Sequence, residues 1–339
     1  MKPQEGTRRS IDDLRDGAGS LDLSTPDDNS EISEMITVAG RLLVVKGKGI
    51  YEVKLADQVD PKRTNIGVPN TIQRVLPFGS EHPWVGAVVS TAHNLLKRTY
   101  LPNEIDCDKA LALVLDIAQD ISGMYELTEK YRETQEAAIG NLDPKIRKDR
   151  SILVPAVGNV AVRCKEFLQK SDHALRGLFD VVKLFYMGIG SGGWESLKKE
   201  VESGSQDIDN FPQFLSNALP LLHLVRNARN CVEHPRQDQR MEVNDFSVDA
   251  GNNLLPPMIE IIHPKTPLAR VPVADFIAQV TQSIVEIVEL MVVFLCTRHV
   301  QAISAFPVQV VEIPPARRTS EHVRFGYGLV QGDEIIPMS

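Results

Sequence analysis

Residues Asp108 to Ala138 read DKALALVLDIAQDISGMYELTEKYRETQEAA, and this stretch decides the fold class. Ala110, Leu111, Leu113, Val114, Ile117, Ile121, Met124, Leu127 and Tyr131 recur at three- and four-residue spacings, the period of one helix face. A stripe of that length needs a partner to bury it. Val157 to Met187 supplies one, with Val160, Cys164, Phe167, Leu168, Leu175, Leu178, Phe179, Val182 and Phe185 on its own stripe. Two such helices pack on each other. Outward from this pair, helices are expected at Trp84 to Leu96, Trp194 to Val201, Phe211 to His234 and Pro272 to His299. The third of these holds Pro220 as a kink point and is stopped by Pro235. The sequence therefore predicts a mainly α fold, a helical bundle of long helices with small β-sheet or hairpin appendages at both ends.

The appendages come from short β-branched runs. Ile36 to Val38, Leu42 to Val45 and Ile50 to Leu55 are separated by Ala39-Gly40 and by Lys46 to Gly49, which predicts small paired strands. Ala56 to Pro83 carries Pro61, Pro69, Pro77 and Pro83 and reads as an irregular connector. Arg240 to Val248 and Pro257 to Ile262 flank a hairpin-like turn at Gly251 to Asn253. Val308 to Ile313, Val323 to Val330 and Ile335-Ile336, the last following Gln331-Gly332-Asp333, suggest a terminal sheet that could pair with the strands near the start. The organisation expected is a disordered tail over 1–30, a β-rich segment and connector over 31–83, a helical domain over 84–300 with a hairpin insertion near 240–263, and a strand segment over 301–339.

Composition narrows the function classes. The 339 residues are 42% hydrophobic and 24% charged, which suits a packed globular chain and excludes collagen-like or wholly disordered ones. A net charge of −8 excludes a uniformly basic nucleic-acid coat, so any polyanion is met locally. Cys107, Cys164, Cys231 and Cys296 are scattered, form no C-x-x-C pair and fit a reducing cytoplasmic setting. The first residues hold no apolar core of a secretion signal, and Ile284 to Cys296, broken by Glu286 and Glu289, is too short for a membrane span. No metal or cofactor is expected, because His223, His263, His299 and His322 lack metal-ligand spacing.

One stretch can carry chemistry: Leu221-Leu222-His223-Leu224-Val225-Arg226-Asn227-Ala228-Arg229-Asn230-Cys231-Val232-Glu233-His234-Pro235. At about 100° per residue, Leu221, Val225, Ala228 and Val232 fall on one side, while Arg226, Asn230 and His234 fall opposite. Arg226, Arg229, Arg236 and Arg240 make the region locally positive inside an acidic chain, a landing site for phosphate. Lys145, Arg147, Lys148 and Arg150, after the Asp143-Pro144 break, form a second basic run that reads as solvated surface.

Arg229-Asn230-x-x-x-His234 at a helix end resembles the R-x4-6-H signature of the HEPN superfamily, in which a polar residue commonly follows the arginine. The resemblance extends over roughly 108–299 as a helical domain, although only these few residues carry it in sequence. It implies a bundle that dimerises and a metal-independent endoribonuclease of the toxin–antitoxin or anti-phage kind, with an antitoxin or defence partner. It also implies Arg229 and His234 as the catalytic pair and Asn230 as their support; the local positive charge of Arg226, Arg236 and Arg240 makes these the expected RNA-binding residues. Cleavage by the RNA's own 2′-hydroxyl needs a base of near-neutral pKa and a cation on the phosphorane, which histidine and arginine supply. One histidine per motif gives a reason to expect a two-fold dimer.

Two plainer readings stand beside this one. Arg229 and Arg226 can pair with Glu233 or other carboxylates while His234 merely ends the helix, and the domain can be a non-catalytic scaffold. Arg317-Arg318-Thr319-Ser320-Glu321-His322 fits the same loose spacing without the helical setting. Gly188 to Gly193 follows a helix and lacks Gly-Lys-Ser/Thr, so it is expected as an interhelical turn.

Overall fold

The centre of the molecule is a set of four long helices that share one apolar core. The structure is a computed structural model describing residues 9–17, 22–140, 147–190, 192–204, 210–302, 307–318, 320–331 and 334–338. In chain order α1 is Ser10–Asp16, β1 Ile32–Val38, β2 Arg41–Lys46, β3 Ile50–Lys54, α2 Ala56–Val59 and β4 Thr71–Leu76. A π-helical turn, Val85–Ser90, leads into α3 (Thr91–Leu95), followed by α4 (Cys107–Gly140), α5 (Val160–Phe185), α6 (Gly193–Ser203) and α7 (Phe211–Glu233). Then come β5 (Arg240–Asn244), β6 (Ser247–Val248), β7 (Leu254–Leu255), β8 (Met258–Ile262), β9 (Leu268–Pro272) and α8 (Val273–His299). Strands β10 (Val308–Glu312), β11 (Phe325–Gln331) and β12 (Glu334–Pro337) end the chain.

Helix α4 lies along α5, and α5 in turn contacts α7 and α8. The predicted stripes are the buried ones: Val114, Ile117, Ile121 and Met124 of α4 meet Cys164, Phe167, Leu168 and Leu178 of α5, all essentially solvent-free. Burying side chains of this size contributes roughly 1.5–3 kcal/mol each. The start of α5 is fixed from outside it. Gly158 and Asn159 turn through positive φ, and the amides of Val157 and Gly158 donate to Asp245 at 3.1 and 2.9 Å. Pro220 sits on the exposed side of α7, where the Ser216 carbonyl that it deprives of a donor can be hydrated, and the helix runs through it. Helix α8 is long and apolar enough to span a membrane, yet 67% of its apolar window is packed inside the fold. It is a core helix by that measure.

The expectation of a mainly α bundle is corrected. The chain is 49% helix and 19% strand with four small sheets, a mixed α/β architecture. Two strands account for much of the difference. Thr71–Leu76 lies in the proline-rich connector, bounded by Pro69 and Pro77, and forms the edge strand β4, where flanking prolines cost no ladder bond. Leu268–Pro272 adds a third strand, β9, to the β5–β8 hairpin. The early and late strands do not pair with each other. They close separately as β1-β2-β3-β4 and β10-β11-β12, because antiparallel neighbours joined by tight turns such as Ala39-Gly40 close short loops at low entropy. Within the expected tail, α1 docks by Arg15 on Asp57 at 2.9 Å, and Asp28 is buried beneath Tyr51. Residues 1–8 and 18–21 of that tail, Asp143, Pro144, Lys145, Ser191, Thr319, Gly332 and Asp333 lie outside the described residues.

Candidate functional site

Helix α7 delivers the motif. Leu222, Val225, Ala228 and Cys231 form its buried side, while Leu221 and Val232 are only half-buried, so the inward face sits slightly round from the one the sequence predicts. That rotation leaves Arg229 half-buried against Asp172 of α5, with Asn230 half-buried beside it, and leaves Arg226 and His234 exposed.

Arg229 is held by carboxylates on two helices. Its Nη2 lies 3.0 Å from Glu233 one turn along α7, and its Nε lies 3.7 Å from Asp172 on α5. Its Nη1 donates to Asn230 Oδ1 at 3.4 Å. Glu233 also accepts from Gln169 at 2.9 Å, and this hydrogen bond, helped by the Arg229 charge, lowers its pKa. Asp172 is 4% exposed and pairs with Arg176 at 2.7 Å. Burial raises its pKa against the pull of Arg176, Arg229, His173 and Arg226. The result is a charge-balanced network, with cations and carboxylates alternating between α5 and α7.

Arg229, Glu233, Gln169, Lys170, His173, Glu166 and Asp120 line a cleft of about 460 Å³. Burial raises the pKa of Asp120 there, with His173 and Lys170 opposing. His234 is not among the lining residues. It ends α7 with φ −133° and ψ 61°, its backbone N–H donating to Asn230 O at 2.8 Å. Its ring is exposed and, among the described residues, makes no hydrogen bond. The structure thus brings Arg229 and Asn230 into contact and places His234 on the same helix end, beside Glu233 and outside the cleft.

The remaining predicted residues are dispersed. Arg226 faces a neighbouring cleft of about 380 Å³, together with Asp172, Arg176, Lys183 and Trp194. Arg236 is exposed in the turn after α7, bridging to Gln239 through its backbone. Arg240 on β5 has its charge taken by Glu242 at 2.8 Å. Arg147, Lys148 and Arg150 are exposed. Among the described residues, no group of three or more His, Cys, Asp or Glu gathers to hold a metal ion.

Sequence reasoning missed Asp172, His173 and Asp120. A signal was present for the first: Asp172 lies four residues after Leu168 and three before Leu175, on the apolar stripe of α5. A carboxylate on a core stripe requires a cationic partner. Comparison with known protein families, curated proteins and solved structures finds no match for this chain.

Proposed function

We propose that this chain cleaves RNA at the C-terminal end of α7 without a metal, with Arg229 on the scissile phosphate, Asn230 orienting it and His234 moving the proton. The observation that carries the reading is the contact of Asn230 with Arg229, which lines a polar cleft, on the helix end that exposes the His234 imidazole. An imidazole open to solvent can serve as base or acid close to neutral pH. A guanidinium that already touches an amide oxygen can present two N–H donors to nonbridging oxygens.

The test is direct. In EDTA, the purified chain should cut single-stranded RNA and leave 2′,3′-cyclic phosphate ends, while His234→Ala and Arg229→Ala should lose at least about a hundredfold in rate, the range set by general acid–base catalysis. Cleavage by His234→Ala at the parental rate removes His234 from the mechanism. Mixing the two inactive variants asks whether the site is composite: recovered activity indicates that a two-fold dimer supplies one group from each copy.

One observation favours a second reading, a non-catalytic binding or scaffold module. Arg229 already has Asp172 and Glu233 as partners, so in the free chain its charge is largely satisfied. On that reading, no cleavage appears and RNA binding responds little to salt.

A further inference from the structure

Glu34, His93 and Lys97 form a hydrogen-bonded line between β1 and the end of α3. On β1, Glu34 alternates with Ile36 and Val38, both buried, so the strand turns a carboxylate toward the inward face just after a bulge between Ile32 and Glu34. An inward carboxylate needs a partner. His93 supplies it: Nδ1 hydrogen-bonds to Glu34 Oε1, while Nε2 lies 3.1 Å from Lys97 Nζ. A carboxylate on Nδ1 assigns the ring proton to that nitrogen and leaves the Nε2 lone pair for an N–H of the lysine. The Glu34 and His93 side chains are 20% and 19% exposed, and Lys97 is half-buried, so the line is partly open to solvent.

Lys97 is an unusual lysine. Lys54, Lys183 and Lys198 each pair with a carboxylate, whereas Lys97, among the described residues, forms no ion pair and meets an imidazole instead. Its backbone is pinned in a turn, the carbonyl accepting from the amides of Tyr100 and Leu101 at 3.0 and 3.2 Å. Burial pulls its pKa below the ordinary lysine value, against the charge of Glu34, which raises the share of free amine near neutral pH.

A nucleophile within hydrogen-bond reach of a base that a third group orients is the general arrangement of covalent catalysis, here with an amine in the nucleophile's place. An amine that attacks an acyl carbon becomes an ammonium and must shed a proton, which Nε2 can take while Glu34 stabilises the imidazolium. The line holds one base and no separate acid. A donor whose leaving group departs unprotonated therefore suits it, and a thiolate does so far more readily than an alkoxide. We propose that Lys97 is a self-acylating lysine that takes a short acyl group from a thioester. The amine lone pair forms the C–N bond, the C–S bond breaks with its electron pair on sulfur, and the amine proton passes to His93 Nε2 and then to solvent. The products are an Nε-acyl-lysine and a free thiol, with no change of oxidation state. The amide is stable, so each chain reacts once and loses the charge at Lys97. None of the three residues lines the cleft beside Arg229, and the proposal stands independently of RNA cleavage.

The test incubates the full chain at neutral pH with the acetyl thioester of N-acetylcysteamine and no other protein. Peptide mass spectrometry reads acetylation at each lysine over time, and thiol release is followed alongside. Lys97 should be acetylated at least about a hundredfold faster than Lys199, which is exposed, the low end of what a positioned base contributes. His93→Gln should remove that advantage, and Glu34→Gln should slow Lys97 about tenfold through loss of the charged acceptor on Nδ1, both with the parental circular dichroism. Acetylation of Lys97 no faster than that of Lys199 in the parent chain overturns the proposal, and this comparison requires no variant to fold. An unchanged rate at Lys97 in His93→Gln overturns it as well, because burial alone would then account for the reactivity of the amine.

Discussion

Replacing Arg229 by alanine separates a structural arginine from a chemical one, because the cost to folding can be worked out from the network around it. The Nη2–Glu233 contact is an i,i+4 helix pair of partly exposed side chains, worth about 0.3–0.5 kcal/mol. The contact to Asp172, at 3.7 Å, has a Coulomb upper bound of roughly 4 kcal/mol at an effective dielectric constant near 20. Most of that is not lost, since Arg176 stays 2.7 Å from the same carboxylate oxygen. A net loss of about 1–2 kcal/mol follows, below the 3–5 kcal/mol of a buried pair broken outright. At about 2.1 cal/mol/K per residue, 339 residues give roughly 0.7 kcal/mol per degree, so Tm should fall by about 1.5–3 °C. Differential scanning calorimetry measures this, and Asp172→Asn combined with Arg229→Ala should recover part of the loss, because the buried carboxylate short of a cation is then neutral, while Arg176, with 57% of its side chain exposed, is hydrated and Glu233 keeps Gln169. A drop beyond about 6 °C, or a double variant less stable than the additive expectation, would refute the premise that Arg176 backs up the site.

Packing and burial elsewhere in the fold set further outcomes. Ile121→Ala, in the solvent-free contact between α4 and α5, should cost about 2–5 kcal/mol and lower Tm by about 3–7 °C in a thermal melt. Gly86→Ala should cost about 1–3 kcal/mol, because the His322 backbone must move, and should alter near-ultraviolet dichroism from Trp84 more than far-ultraviolet dichroism. His82 and His299 are both held below the ordinary histidine pKa, chiefly by burial, with His322 adding to the effect at His82 and the Leu295 carbonyl opposing it at His299. Between their folded pKa values and about 6.5 the unfolded chain binds more protons, so stability is full above that window and falls as pH drops through it. The slope is at most about 1.4 kcal/mol per pH unit per group, and a Tm independent of pH between about 7 and 5 would contradict it.

The helical part of this fold was legible because long apolar stripes leave little choice. Spacing alone located α4, α5 and α8 to within a few residues, and the burial of Ile117, Leu178 and Ile284 follows from it. The strands were legible where β-branched runs met a glycine turn, as at β1 and β2, or stood as a short apolar run before prolines, as at β10. Strand β4 has one fully buried residue, Leu76, between flanking prolines, so its pattern lacked the alternation of a half-buried strand. At the candidate site the motif residues were visible on α7, but their environment was not. Whether Arg229 meets phosphate or protein carboxylate depends on Asp172 and Gln169 of α5, more than fifty residues away in sequence, and no local spacing encodes that approach.

That approach also sets what a phosphate must overcome at Arg229. Glu233 is the cheaper obstacle, because a partly exposed i,i+4 pair holds by only about 0.3–0.5 kcal/mol, whereas a bidentate guanidinium–phosphate contact is among the stronger hydrogen-bonded pairs. Asp172 is a different kind of neighbour. It is buried, cannot swing away, and has Arg176 as its nearer partner, so it can fix the Arg229 stem while leaving the outer nitrogens to exchange. On the proposed reading Glu233 therefore occupies the phosphate position in the free chain. Glu233→Gln should then strengthen RNA binding and make it steeper in salt, since one carboxylate no longer competes for the arginine. Filter binding across a salt series measures both effects. Binding that weakens in Glu233→Gln would show that Glu233 holds Arg229 in place and does not compete with phosphate for it.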